Sequence, residues 1–479
     1  SHVLAAAHEQ SGRPLIAVCQ DDMAAKRLAS ELGAFLGEEP PVLPSRELTL
    51  AGAIGVSRQW EQQRLRLLYA LAQGRVPVLV ASLDALLLRT LPRQTLFSAS
   101  VTLRVGAEYS MPELIERLTR AGYSRASLVE GVGQFALRGG ILDVYSPAQE
   151  KPLRAEFFGD ELDTMGYFDP ITQRRTENVD EAVLLPVAET EPHLHPQGIS
   201  GLCEDLRAII ARQQRRKTPN QALIETLQKD CEALENETLF ASADRYMALI
   251  YPEFTTAASY LPQEAIVAFC DHGNLQRGEK DRAEEFGLLL DSFLTSGTLF
   301  GELCDYYATM DDLAASLRGR AVIYCDSFLA ARYPESLPPK QLLSFTARQL
   351  PGYGGSLETA AADLKNYASN QYGSIVLCGG QRRGEILKEL LAKSGLNALL
   401  SFPLTKLPQP GQILIAGGSL PAGIEYPTLK FAILTEGQIA VRQERKRVRA
   451  PKKATNRKKL DSFTDLTPGD LVVHEHHGI

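Results

Sequence analysis

Two stretches set arginine beside aromatic residues at strand spacing. Arg138 lies in Phe135-Ala136-Leu137-Arg138-Gly139-Gly140-Ile141-Leu142-Asp143, and Arg154 in Leu153-Arg154-Ala155-Glu156-Phe157-Phe158. Successive residues of a strand point to opposite faces. Arg154, Glu156 and Phe158 therefore share one face, and Ala155 and Phe157 the other. With Phe157 in a core, Phe158 is displayed beside Arg154. Arginine and aromatic side chains together are the usual anchors of a protein–protein contact, because both offer large areas at fixed geometry. The competing reading is an Arg–Glu pair across an ordinary surface sheet, with Phe158 as edge packing. Pattern alone leaves both open.

No constellation for catalysis stands out. A phosphate-cradling P-loop needs GxxxxGK[ST], and the sequence has no Gly-Lys dipeptide. Gly131-Val132-Gly133 and Gly352 to Gly355 read as turns. Asp160-Glu161-Leu162-Asp163 resembles a magnesium-binding acidic string, but Gly159 precedes it where a buried apolar strand is needed. A solvent-facing turn is expected there. In His474-Glu475-His476-His477 only His474 and His476 share a face, too few ligands for a metal site. His193 and His195 sit in a Pro-rich connector and are expected to be exposed. No GxSxG elbow or Ser/His/Asp set appears. No catalytic residue, metal ligand or bound cofactor is expected in this segment.

The seven cysteines form no CxxC pair. Cys19, Cys270, Cys325 and Cys378 lie in apolar runs and read as core thiols of a cytoplasmic protein. The longest apolar stretch, Val76 to Leu88, is broken by Asp84 and is too short to span a bilayer. With 44% hydrophobic and 23% charged residues in 479, the chain is an ordinary globular sequence of roughly three domains. Charge is uneven. Arg442 to Lys459 holds ten Lys/Arg and one acid, so this ribbon carries +9 and the rest −16 within a net −7. An acidic body with one basic ribbon is not a generic DNA-binding protein. The ribbon reads either as a solvated linker or as a transient phosphate contact through Arg445, Lys446, Arg447, Lys452 and Lys453. No aromatic residue interleaves with it to stack on bases.

These residues sit in an α/β chain of several domains. Pro14–Cys19 and Val76–Ala81 read as buried strands, Met23–Leu36 and Ser57–Ala72 as helices, and Ser82 as a helix cap. Met23, Leu28, Leu32 and Leu36 mark the apolar face of the first helix, and Trp60, Leu67, Leu68 and Leu71 that of the second. Strands alternating with helices imply a parallel sheet. From Val101 the texture becomes antiparallel, with strands at Phe135–Tyr145, Leu153–Phe158, Thr164–Phe168 and Val183–Leu185. A helix begins after Thr218-Pro219, a strand spans Ala265–Cys270 and a helix Asp281–Leu294. The expected division is 1–100, first part of a helicase-like α/β domain; 101–187, an inserted α+β domain; and 188–317, the second part of the first domain. After these come 318–440, a small α/β domain; 441–464, the basic linker; and 465–479, the start of a further domain. Strands of the 318–440 domain are placed at Ala321–Cys325, Ser374–Cys378, Ile413–Ala416 and Phe431–Leu434, with a helix at Arg383–Leu391. The sequence opens on Ser1 and stops at Ile479, and we expect a piece of a longer protein.

Leu128 to Tyr145, with Glu130-Gly131-Val132-Gly133-Gln134-Phe135-Ala136-Leu137-Arg138-Gly139-Gly140-Ile141-Leu142-Asp143 at its centre, resembles the bacterial transcription-repair coupling factor family. So do Arg154 to Asp169, with Glu-Phe-Phe-Gly-Asp-Glu-Leu-Asp, and Asp461 to Asp470 with Val472 to Ile479. The resemblance runs through nearly the whole chain and is thin over 200–244 and 301–373. It implies a multidomain repair protein whose N-terminal third is similar to UvrB without a working ATP site. It implies that the inserted domain binds UvrA through Arg138, Arg154 and Phe158. The domain starting near Leu466 would meet the RNA polymerase β subunit. DNA binding, ATP and magnesium would belong to a translocase motor C-terminal to this segment. The resemblance thus points to an adaptor that recruits UvrA of nucleotide excision repair to stalled RNA polymerase. The alternatives are a UvrB-like damage-loading protein, which should carry a P-loop, and a non-catalytic α/β scaffold.

Overall fold

The computed structural model describes residues 1–50, 59–236, 242–327, 332–353 and 356–439. The chain is a mixed α/β protein with two compact units, Ser1–Leu32 with Glu39–Lys340, and Gly33–Glu38 with Gln341 onward. Among the described residues no helix is long and apolar enough to cross a membrane. The basic ribbon, with Arg445, Lys446, Arg447, Lys452 and Lys453, lies outside the described residues, as do His474 and His476.

The first unit is built on a five-stranded parallel sheet. Its order is Ala321–Cys325, Ile266–Cys270, Leu15–Cys19, Val78–Ser82, Val42–Leu43. Leu15–Cys19 and Val78–Ser82 are buried at every position, as continuous apolar runs in a helix-covered parallel sheet should be. Ser82 caps the next short helix, its Oγ accepting from the Ala85 amide at 3.3 Å.

Helix faces differ from the expected ones. Helix Asp22–Leu36 buries Ala25, Ala29 and Leu32, while Met23 is 72% exposed. Small alanines let the helix lie close to the sheet, and that requirement outweighs side-chain hydrophobicity. In Gln59–Ala72 the buried residues are Arg64, Leu65, Leu68, Leu71 and Ala72. Trp60 faces outward beneath the Lys26 ammonium, 5.1 Å from its ring. Helix Gln221–Glu235 starts at Asn220, whose Oδ1 accepts from the Leu223 amide at 3.1 Å, rather than at Thr218. The helix expected from Asp281 begins nine residues earlier and spans His272–Thr295.

Ala321–Cys325, expected among the strands of the third α/β unit, instead completes the first sheet. It pairs in parallel with Ile266–Cys270 over five residues, and Tyr324 stacks on Phe269 at 5.5 Å. The second unit has its own six-stranded sheet, in the order Arg348–Gln349, Ile424–Tyr426, Phe431–Thr435, Gly373–Cys378, Ile413–Gly417, Ala398–Ser401. Helices Leu357–Ser369 and Gln381–Lys393 pack on it through Leu364, Leu387 and Leu391. All seven cysteines are free thiols. Cys19 and Cys378 are buried as expected, whereas Cys270 and Cys325 are only partly so.

Between Val78–Ser82 and Ile266–Cys270 the chain builds a two-stranded antiparallel sheet and a six-stranded sheet that is antiparallel but for one short parallel edge strand, then returns through Glu189, Thr190 and Glu191. This return is locked by buried charge. Arg64 is fully buried and donates through Nε to both oxygens of Glu189, at 2.9 and 3.0 Å. Its Nη1 reaches the carbonyls of Pro44 and Ala85. Arg46 bridges Asp244 at 2.5 Å and Glu61 at 2.9 Å. Burial disfavours the Arg46 charge, but Asp244, Glu189 and Glu61 together hold its pKa above the ordinary arginine value. Burial raises Glu61, with Arg46 opposing. His195, expected in an exposed connector, is instead buried with Nε2 3.3 Å from Asp205, because the following helix starts at Gly198 and folds back over it.

Removing one member of a fully buried ion pair leaves an unpaired charge and costs about 3–5 kcal/mol. We predict that Arg64→Met lowers the unfolding free energy of the chain by that amount in urea denaturation. A loss below about 1 kcal/mol would show that Glu189 is not carried as a buried carboxylate.

Candidate protein-docking sheet

The larger inserted sheet has six strands, in the order Arg175–Asn178, Glu161–Phe168, Leu153–Phe158, Ile141–Val144, Gln134–Arg138, Ser124–Arg125. Its inner face carries Phe135, Leu142, Val144, Leu153, Ala155, Leu162 and Met165 against Leu114 and Leu118 of helix Met111–Arg120. Phe157 joins this core and meets Tyr109 edge-on, centroids 6.3 Å apart. The Gly139-Gly140 turn reverses the chain between two strands. Gly139 has φ +61°, and a Cβ on Gly140 would sit 2.6 Å from the Phe157 carbonyl oxygen. Only glycines meet both demands.

The outer face carries the expected site residues, together with one that pattern reasoning did not single out. Asp143 stands in register with Ala136 on one side and Arg154 on the other. Its carboxylate is 1% exposed and accepts from both arginines. Arg154 donates through Nε at 2.7 Å and Nη2 at 2.9 Å, and Arg138 through Nη2 at 2.5 Å. Arg154 also lies over the Phe168 ring at 4.5 Å and donates to the carbonyl and side-chain oxygens of Gln173, both at 3.2 Å. The hydrogen bond to Asp143 raises its pKa. Arg154 is therefore a fixed cation held by carboxylate, ring and turn. Its partner is Asp143, not Glu156, which sits 3.5 Å from Arg175. The signal for Asp143 was its outward parity on Ile141–Val144, which makes a carboxylate there a cross-strand partner for arginine.

Phe158 stands apart. Strand Leu153–Phe158 ends on it, and Gly159 with φ +65° turns the chain toward Glu161. The register shifts between Glu156 and Phe157. Phe157 turns inward, and Phe158 is left 85% exposed. The structure thus brings Arg138 and Arg154 together on Asp143 and presents Phe158 as an open aromatic side chain at the end of the same strand.

Residues 101–189 match a family model described as the UvrB interaction domain. Along nearly its whole length the chain is similar to transcription-repair-coupling factors. It is 26% identical over 485 residues to that of Staphylococcus aureus strain USA300, covering 100% of this chain and 40% of the relative. It is 24% identical over 477 residues to that of Bacillus subtilis strain 168, covering 98% and 40%. The chain thus spans 40% of the length of the curated relatives it matches. The interaction domain contains both inserted sheets, and its last matched residue is Glu189, the buried partner of Arg64.

Asp143 and Phe158 should separate cleanly in stability. Losing the shared acceptor leaves two guanidinium groups without charged hydrogen bonds, worth about 1.5–3 kcal/mol. An exposed side chain costs within about 0.5 kcal/mol. Asp143→Ala is expected to lower the chemical denaturation midpoint, and Phe158→Ala to leave it in place. Equal midpoints for the two variants would mean that the carboxylate does not organise the sheet.

Proposed function

We propose that this chain is the adaptor part of a transcription-repair coupling factor and that the outer face of its interaction domain docks UvrA in nucleotide excision repair. The observation that carries the reading is Phe158, 85% exposed at the end of the strand that also carries Arg154, one of two arginines fixed on a buried carboxylate. A rigid, solvent-facing aromatic next to preorganised cations is what an interface anchor requires, because little conformational freedom is lost on binding. Arg138 keeps about half of its side chain in solvent and offers a cation at the rim, while Arg154 positions the face from beneath.

In this proposal the segment works without nucleotide of its own. The turn after the central strand, where a phosphate would be expected in such a sheet, is filled by acids. Asp21 Oδ1 accepts from the Ala24 amide at 2.7 Å, and Asp22 accepts from Ser45 Oγ at 2.7 Å and Ser82 Oγ at 2.5 Å. Asp21 takes up one donor at the helix start, and the two carboxylates repel a further anion. That favours the adaptor over a UvrB-like damage loader. ATP and magnesium would act in a translocase motor elsewhere in the full-length protein. Contact with the RNA polymerase β subunit would fall to the region from residue 465, and contact with DNA to the motor and the basic ribbon. A cytoplasmic location follows from these partners.

The test is titration of the 479-residue chain with purified UvrA. Phe158→Ala is expected to raise Kd at least tenfold, a hot-spot effect of about 1.4 kcal/mol or more, and Arg138→Ala to raise it less. Unchanged affinity in Phe158→Ala would overturn this docking surface, and no binding by the parent chain would favour the scaffold reading.

A further inference from the structure

Helices Gly198–Gln214 and Gln221–Glu235 meet at a pair of thiols. Cys203 Sγ donates to the Cys231 carbonyl at 3.8 Å, and Cys231 Sγ to the Cys203 carbonyl at 3.7 Å. Both residues are buried, Cys203 completely. Glu235 lies one helical turn beyond Cys231, on the same face and at the solvent rim. The two sulfurs and a Glu235 carboxylate oxygen all fall within 4.8 Å of one another. Arg207, one turn beyond Cys203, pairs with Glu235 from the opposite helix.

We propose that Cys203, Cys231 and Glu235 form a binding site for a thiophilic divalent cation of the zinc type. Two thiolates and one carboxylate are a donor set that selects soft d10 ions over magnesium or calcium. Bond lengths of about 2.3 Å to sulfur and about 2.0–2.2 Å to oxygen place tetrahedral donors roughly 3.5–3.8 Å apart. The present spacing of up to 4.8 Å therefore contracts by no more than about 1.3 Å on binding. The fourth position faces solvent past Glu235 and takes a water. On binding, each thiol releases one proton to solvent and forms one metal–sulfur bond. Two thiolates, a carboxylate and a divalent cation leave one negative charge, which the Arg207 guanidinium at the rim neutralises. Plain thiol packing between helices accounts for the two buried sulfurs. The Arg207–Glu235 ion pair draws the carboxylate across the helix pair, and this brings one of its oxygens within 4.8 Å of both sulfurs. The 28-residue separation of the cysteines hides the set from any CxxC search.

The probe is cadmium, whose thiolate complexes absorb in the ultraviolet by ligand-to-metal charge transfer. The purified chain, stripped with a chelator, is titrated with cadmium and back-titrated with zinc. We expect one equivalent to produce the band and zinc to remove it. Cys231→Ala should abolish the band. Glu235→Gln, at the exposed rim and so without cost to the core, should weaken cadmium binding by tenfold or more. A band of the same affinity in both variants would place the metal on other thiols and overturn the site, as would no band at all in the parent chain.

Discussion

The pairing of Arg64 with Glu189 is the constraint on which the first unit rests. Both side chains are fully buried, and each belongs to a different part of the chain. Arg64 comes from a helix covering the parallel sheet, and Glu189 from the exit of the interaction domain. A buried ion pair of this kind adds little net stability relative to apolar packing, but breaking it is costly. Its value lies in specificity. Thr90 and Thr190 add neutral donors, Arg46 and Asp244 extend the network, and the chain leaving the inserted sheets has one low-energy path back.

The same logic, one carboxylate shared by two guanidinium groups, recurs on the inserted sheet. Asp143 holds Arg138 and Arg154 much as Glu189 holds Arg64 and Arg46, but at a surface rather than in a core. The difference in exposure divides the labour. Arg154, clamped under solvent by Asp143, Phe168 and Gln173, keeps the face rigid. Phe158, at the last ladder position of its strand, presents exposed apolar area. The clamped arginine and the open aromatic thus lie four positions apart on one strand.

Much of this was legible in the sequence where physics acts locally. Buried strands such as Leu15–Cys19 announce themselves as unbroken apolar runs, and the parity of Arg154, Glu156 and Phe158 follows from the pleat. Turn glycines such as Gly139 mark themselves by residue type. What was not legible depends on partners distant in sequence. Ala25 and Ala29 form a buried face because the sheet comes close, while the larger Met23 is left outside. Arg64 carries no local sign of burial, because its counter-ion lies 125 positions away. Asp143 was visible as a residue but not as the junction of two arginines, since that needs the strand register. Ala321–Cys325 has the texture of any buried strand, and nothing local says which sheet will take it.

That last strand sets where the chain can safely be divided. Ala321–Cys325 covers one flank of Ile266–Cys270, shielding its backbone donors and acceptors along with Phe269. Proteolysis anywhere in 304–320 would detach it and turn an interior strand into a bare, apolar sheet margin. Such a margin templates self-association. The natural seam lies at Lys340, beyond the strand, and fragments ending there keep the first sheet closed on that side.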